Sequence, residues 1–115
     1  MSKRPLDLLI EDIWEAVEKI ARFIKGMTQE AFENDHKTSD AVVRNLEVIG
    51  EAANRLPDDF REKHPEIGWA RIVGLRHRIV HEYFGVDLKI IWQILQKDLP
   101  VFKRALLAIR NEMGL

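Results

Sequence analysis

Leu6-Asp-Leu-Leu-Ile-Glu-Asp-Ile-Trp-Glu-Ala-Val-Glu-Lys-Ile-Ala-Arg-Phe-Ile24 sets the terms for the whole chain. Its apolar residues Leu6, Leu9, Ile10, Ile13, Ala16, Val17, Ile20, Phe23 and Ile24 recur at steps of three and four, the spacing of one helical face. Acidic and basic residues fill the other positions. The spacing predicts a helix over Leu6–Ile24 that Gly26 closes. Thr28 is placed to cap a short turn of helix through Phe32, and Asn34 to Lys37 read as a loop.

The same period continues downstream. A second long helix is expected from Ser39 to Leu56, entered at Thr38 or Ser39 and stopped by Pro57. Val42, Val43, Leu46, Ile49, Ala53 and Leu56 form its inner side, and Gly50, Ala52 and Ala53 leave room for another helix. A helical turn near Asp58–Lys63 ends at Pro65. A third main helix is predicted over Trp69–Glu82, broken by Gly85, and Asp87 is placed to cap a fourth from Leu88. Pro100 has no N–H for an internal helical bond and must kink or split that helix. No alternating apolar run of strand length occurs. The expectation is an all-α, up-and-down bundle of four to five helices.

With 115 residues and 46% hydrophobic content, the chain suits a single domain spanning 1–115. It has no apolar run of membrane-crossing length, and Met1-Ser-Lys-Arg-Pro5 does not read as a signal peptide. The absence of cysteine excludes disulfides and thiolate metal sites. A cytoplasmic protein with no membrane association is the expectation. The net charge of −1 excludes a globally basic nucleic-acid binder. Charge is nevertheless uneven: residues 1–66 hold 10 Lys/Arg against 15 Asp/Glu, and residues 67–115 hold 8 against 4. The positive half suits either an anion site or an ordinary fluctuation of surface charge.

That half contains Arg76-His-Arg-Ile-Val-His-Glu-Tyr83, with Arg76, His81 and Tyr83 in an Arg-x4-His-x-Tyr pattern. Histidine can give or take a proton near neutral pH, and a guanidinium matches phosphate oxygens with a fork of donors. At 100° per residue, Arg76 and Tyr83 fall about 20° apart on a helix, and Arg76 and His81 about 140° apart. Arg76 and His81 therefore meet on one phosphate only if the helix frays near Glu82 or a second chain contributes. Attack of an RNA 2′-hydroxyl on its phosphate needs a base and an acid, whereas one chain offers one such His. A symmetric dimer would supply two copies of His81 and of Arg76.

Other readings of these residues are open. His77 and His81, one turn apart, could hold a metal with a third ligand from Glu82, Glu51 or His64. Glu47 and Glu51 share a face with Arg44 and Arg55 near them, which suits surface ion pairs. Trp69, Trp92, Phe84 and Phe102 fall at apolar positions and read as core.

The cluster belongs to a longer series: Arg44-Asn-Leu-Glu-Val-Ile-Gly-Glu-Ala-Ala53, Trp69 to Gly74, Leu75 to Phe84, Val86-Asp-Leu88 and Asp98-Leu-Pro100. In that order they closely resemble the HepT-like family of HEPN domains, over about Leu6 to Leu107. The resemblance implies a HEPN-like bundle, dimeric, with the Arg and His at its interface. It implies a metal-independent endoribonuclease, without cofactor, acting as the toxin of a toxin–antitoxin pair. The implied partner is an MNT-type nucleotidyltransferase that silences the toxin by moving AMP from ATP onto the motif tyrosine. Carried over, Arg76 and His81 are the catalytic pair and Tyr83 the AMP acceptor, with His77 and Arg78 in supporting roles. A different class of function, a non-catalytic module that docks a nucleotide or presents Tyr83 to a transferase, is separated from it by RNA cleavage with and without His81.

Overall fold

A computed structural model describes the backbone of residues 3–81 and 87–115 and, within these, the side chains of all but 76–81. Among the described residues the chain is helical and has no strand. α1 spans Leu6–Phe23, α2 Gln29–Asn34, α3 His36–Arg55, α4 Asp58–Lys63 and α5 Trp69–His81. α6 (Leu88–Gln93) runs through a π-helical turn, Ile94–Asp98, into α7 (Leu99–Glu112). The all-α expectation holds. The long rods are α1, α3, α5 and the α6–α7 helix, with α2 and α4 as short connectors.

α1 ends as its period foretells. Gly26 has φ +76°, a left-handed turn that glycine enters without steric cost, and the chain reverses there. Thr28 then caps α2, its hydroxyl accepting from the Ala31 amide at 3.1 Å. The next stretch differs from expectation, because Asn34–Lys37 is not a loop. Asn34 closes α2, and α3 starts at His36 rather than Ser39. Asp35 is the cap: one carboxylate oxygen accepts from the Thr38 amide at 3.1 Å and the other from the Thr38 hydroxyl at 2.7 Å. A carboxylate satisfies the free amides of a first turn better than a hydroxyl does, so the cap moves upstream to Asp35. Ser39 lies within the first turn, buried, and donates to the His36 carbonyl at 3.3 Å.

The core forms where three long rods meet. Ile10, Ile13, Val17 and Ile20 of α1 pack with Val42, Leu46 and Ile49 of α3 and with Leu106 and Ile109 of α7, all within 2% of full burial. Each such side chain contributes roughly 1.5–3 kcal/mol by leaving water. α3 packs against α1 on one side and α5 on the other. Gly50, Ala52 and Ala53 are buried there, as their small size suggests. Phe32 of α2 fills the remaining gap and meets Trp92 of α6 at 5.3 Å between ring centroids.

Pro100 divides the fourth rod through the turn that precedes it. A proline ring clashes with the carbonyl four residues earlier, here that of Gln96, and lacks the N–H that would bond it. The widened turn at Ile94–Asp98 falls at this place, while the backbone stays right-handed helical through Ile94, Asp98 and Leu99. Thus α6 and α7 form one rod with a wide turn inside it.

Candidate active site

α5 carries the Arg/His cluster, and its first turn is fixed firmly. Trp69 is buried against Phe60 at 6.3 Å and meets Phe102 edge to face at 6.3 Å. Its indole N–H donates to the His64 carbonyl at 3.1 Å, so the buried nitrogen is satisfied. Ile72, Val73 and Leu75 continue the packing. Trp69, Trp92 and Phe102 therefore belong to the core or its edge, as their spacing predicts; Phe84 lies outside the described residues.

The backbone of Arg76, His77, Arg78 and His81 occupies the last turns of this helix. In register Arg76 follows buried Trp69 by seven residues, about 20° around the axis. His81 stands five residues beyond Arg76, about 140° around and roughly 7.5 Å along. Helical backbone thus persists through His81, and one straight helix does not place Arg76 and His81 on the same line. Glu82 and Tyr83, with the break expected at Gly85, lie outside the described residues. The chain is described again at Asp87, whose carboxylate accepts from the Lys89 amide at 2.9 Å and caps α6.

Of the candidate third metal ligands, Glu82 lies outside the described residues and the other two have partners. Glu51 accepts from Arg55 at 3.0 Å, and His64 stacks on Phe60 at 4.8 Å with its Nδ1 3.4 Å from Glu66. Among the described residues no three metal-binding side chains gather. Arg44 and Glu47 approach to 3.9 Å, so both acidic residues of that α3 face are in the ion pairs expected for them. No helix among the described residues is long and apolar enough to cross a membrane.

Local spacing did not mark a second set of charged residues beside α5. Arg71, in the first turn of the helix, lies 3.5 Å from Asp98 of the π-helical turn. Lys97 and Glu66 stand along the same edge. Only the tertiary approach of α5 to the α6–α7 helix gathers these four.

Comparison with known proteins shows the family of the chain. The profile of the family described as "Ribonuclease HepT-like" matches residues 13–109. "Probable ribonuclease HepT" of Thermococcus cleftensis is 44% identical over 94 residues, which cover 82% of this chain and 86% of that protein. "Putative RNase MJ1380" of Methanocaldococcus jannaschii is 39% identical over 104 residues, 90% of this chain and 95% of its own. "Putative RNase TTE0752" of Caldanaerobacter subterraneus subsp. tengcongensis is 41% identical over 95 residues, 83% of this chain and 85% of its own. No solved structure matches significantly. The matched span contains α3, α5, α6, most of α7 and every residue of the Arg/His cluster, and the chain therefore belongs to the ribonuclease HepT-like family of HEPN proteins and is a ribonuclease by class.

Proposed function

We propose that the chain is a metal-independent endoribonuclease, active as a homodimer, with Arg76 and His81 as its catalytic residues. The reading is carried by the Arg-x4-His-x-Tyr pattern at the end of α5 in a chain of this family. His81 of one copy takes the proton of the RNA 2′-hydroxyl. The 2′-oxygen bonds to phosphorus, and the bond from phosphorus to the 5′-oxygen breaks. His81 of the other copy, protonated, gives its proton to that leaving oxygen. The products are a 2′,3′-cyclic phosphate and a free 5′-hydroxyl. The two Arg76 guanidinium groups hold the phosphate and stabilise the charge that grows on it, while His77 and Arg78 support the site. A two-fold axis near α5 supplies the second histidine that one chain lacks.

The same reading makes the chain the toxin of a toxin–antitoxin pair. Its partner is a nucleotidyltransferase of the MNT type. The Tyr83 phenol oxygen attacks the α-phosphorus of ATP, pyrophosphate leaves and the phenolic proton is lost. The new phosphate is negative and lies two residues from His81, where it competes with RNA for Arg76 or Arg78. The test is cleavage of RNA by purified protein with and without the His81→Ala substitution. Loss of cleavage with the helical content intact is the expected result, and full cleavage by His81→Ala refutes the assignment.

A further inference from the structure

The hand of the bundle fixes which flank of α3 borders the helix that carries the Arg/His cluster. The rods form a ring in the order α1, α3, α5, α7: α1 packs on α3, α3 on α5 and α7 on α1, and a groove of about 610 Å³ lies between α5 and the α6–α7 helix. Each residue of a helix stands about 100° further round than the last, so antiparallel neighbours meet by flanks of the same hand. Trp14, Lys103 and Arg110 each directly follow a core-packed residue (Ile13, Phe102 and Ile109), and both cations lie over the Trp14 ring. α1 and α7 therefore meet by the flanks that follow their core lines. Leu75 and Ala105 line the groove on the flanks that precede those lines, as the same hand requires for α5 and α7. Continuing round the ring, α3 and α5 meet by the flanks that follow their core lines. On α3 that flank carries Glu47, directly after buried Leu46, and buried Gly50, directly after Ile49. On α5 it carries position 81, about 120° round from buried Trp69.

The level along the axis agrees. α5 starts at the C-terminal end of α3, where Trp69 meets Phe60 of α4. Its 13 residues carry it roughly 18 Å back along α3, to about the level of Arg44. Side chains lean toward the N-terminus of their own helix, which for Glu47 is toward the last turn of α5. The Glu47 side chain is only 31% exposed, yet Arg44 stands 3.9 Å away on a side chain that is 73% exposed. That distance is beyond a hydrogen bond. Glu51, one turn on, instead accepts from Arg55 at 3.0 Å. A carboxylate two-thirds covered and so loosely paired has room for a further donor.

We infer that Glu47 is a positioning residue for catalysis, its carboxylate accepting an N–H of the His81 imidazole of the same chain. The inference rests on the reading that His81 moves the protons of the reaction, and adds the group that holds its ring. A carboxylate on one ring nitrogen fixes the tautomer and leaves the other nitrogen to face RNA. It also favours the imidazolium, which the base becomes and from which the acid must start. One such residue per chain therefore serves both histidines of the dimer.

RNA cleavage kinetics of the purified full chain, with imidazole nitrogen NMR on the same samples, test this. Glu47→Gln keeps the size and one acceptor oxygen but loses the charge, whereas Glu47→Leu loses both. kcat should fall about tenfold in Glu47→Gln and roughly 100-fold in Glu47→Leu, with KM unchanged. Helical circular dichroism and sedimentation should match the unsubstituted protein, and if Glu47→Leu does not fold, the near-isosteric Glu47→Gln decides alone. Glu51→Gln, one turn away, should leave kcat as it was. The ring nitrogen resonances of His81 should move in Glu47→Gln and stay in place in Glu51→Gln. A Glu47→Gln protein with unchanged kcat, or with its loss confined to KM, overturns the inference and leaves the ribonuclease assignment standing. A fall in kcat with unmoved His81 resonances also overturns it. An unsubstituted protein that cuts no RNA, but whose His81 resonances move in Glu47→Gln, supports the contact and refutes the ribonuclease mechanism.

Discussion

Arg110 grips Glu11 with both ends of its guanidinium: Nε stands 2.6 Å from one carboxylate oxygen and Nη2 3.2 Å from the other. The same guanidinium lies 4.5 Å from the Trp14 ring centroid, and Lys103 lies 5.6 Å from it. The contact ties α7 to α1 across the bundle surface. Hydrogen bonds from Arg110 hold the Glu11 carboxyl below its ordinary pKa. A folded pKa below the unfolded one contributes stability above the unfolded value, near 4.3 for Glu, that is lost as pH falls through the folded value. Arg110→Ala should therefore cost about 1–2 kcal/mol at neutral pH, combining a solvent-screened bidentate pair with its ring contact. Glu11→Gln should cost less and flatten the fall in stability below about pH 4.3. Chemical denaturation across pH 3 to 7 measures both.

Substitution in the Arg/His cluster should separate chemistry from fold. His81→Ala removes the proton-transfer groups of both copies, so cleavage should fall by roughly 10²–10⁴-fold or more. Arg76→Ala should lower it by roughly 10²–10³-fold through loss of phosphate stabilisation. Cleavage should survive EDTA. An EDTA-sensitive activity that zinc restores would move His77 and His81 into a metal site instead.

A site shared between two copies predicts that one inactive subunit spoils its partner. A dimer of one unsubstituted and one His81→Ala subunit keeps the base or the acid but not both, so it should cleave far more slowly than the unsubstituted dimer. Titrating His81→Ala into the unsubstituted protein, with time for subunit exchange, should lower cleavage roughly as the square of the unsubstituted fraction. A fall that is only linear in that fraction argues that the site is not shared.

Control at Tyr83 should be visible as mass. Co-expression with an MNT-type nucleotidyltransferase should add one adenylyl group, or a small whole number of them, to the intact protein. Tyr83→Phe should gain none and escape silencing. If Tyr83→Phe is still neutralised by an active transferase, silencing works by binding alone.

Much of this architecture is local, and the local part was legible. α1, the Thr28 and Asp87 caps, the turn at Asp58–Lys63 and the pairing of Glu51 with Arg55 all rest on contacts within about one helical turn. The start of α3 was not, because Asp35, Thr38 and Ser39 all have side chains able to cap. A carboxylate three residues before Thr38 decides it. The wide turn at Ile94–Asp98 has no periodic signature, and only Pro100 signals trouble nearby. The grip of Arg110 on Glu11 spans 99 positions, and Arg71 meets Asp98 only because two helices converge. Within the candidate site, the helical setting of Arg76 and His81 was legible and the charged groove beside it was not. Pairings between distant elements leave no trace in spacing.

The packing of α7 on α1 also has a meaning in time. Leu106 and Ile109 complete the core around residues of α1, so α1 and α3 can associate early while their third partner is still unmade. At a synthesis rate of roughly 5–20 residues per second, α1 waits about 5–20 s for the helix that seals it. Until Arg110 has emerged, the apolar stripe of α1 is only partly covered. A nascent chain thus carries the complete Arg76–His81 segment before it has the finished fold that must hold it in place.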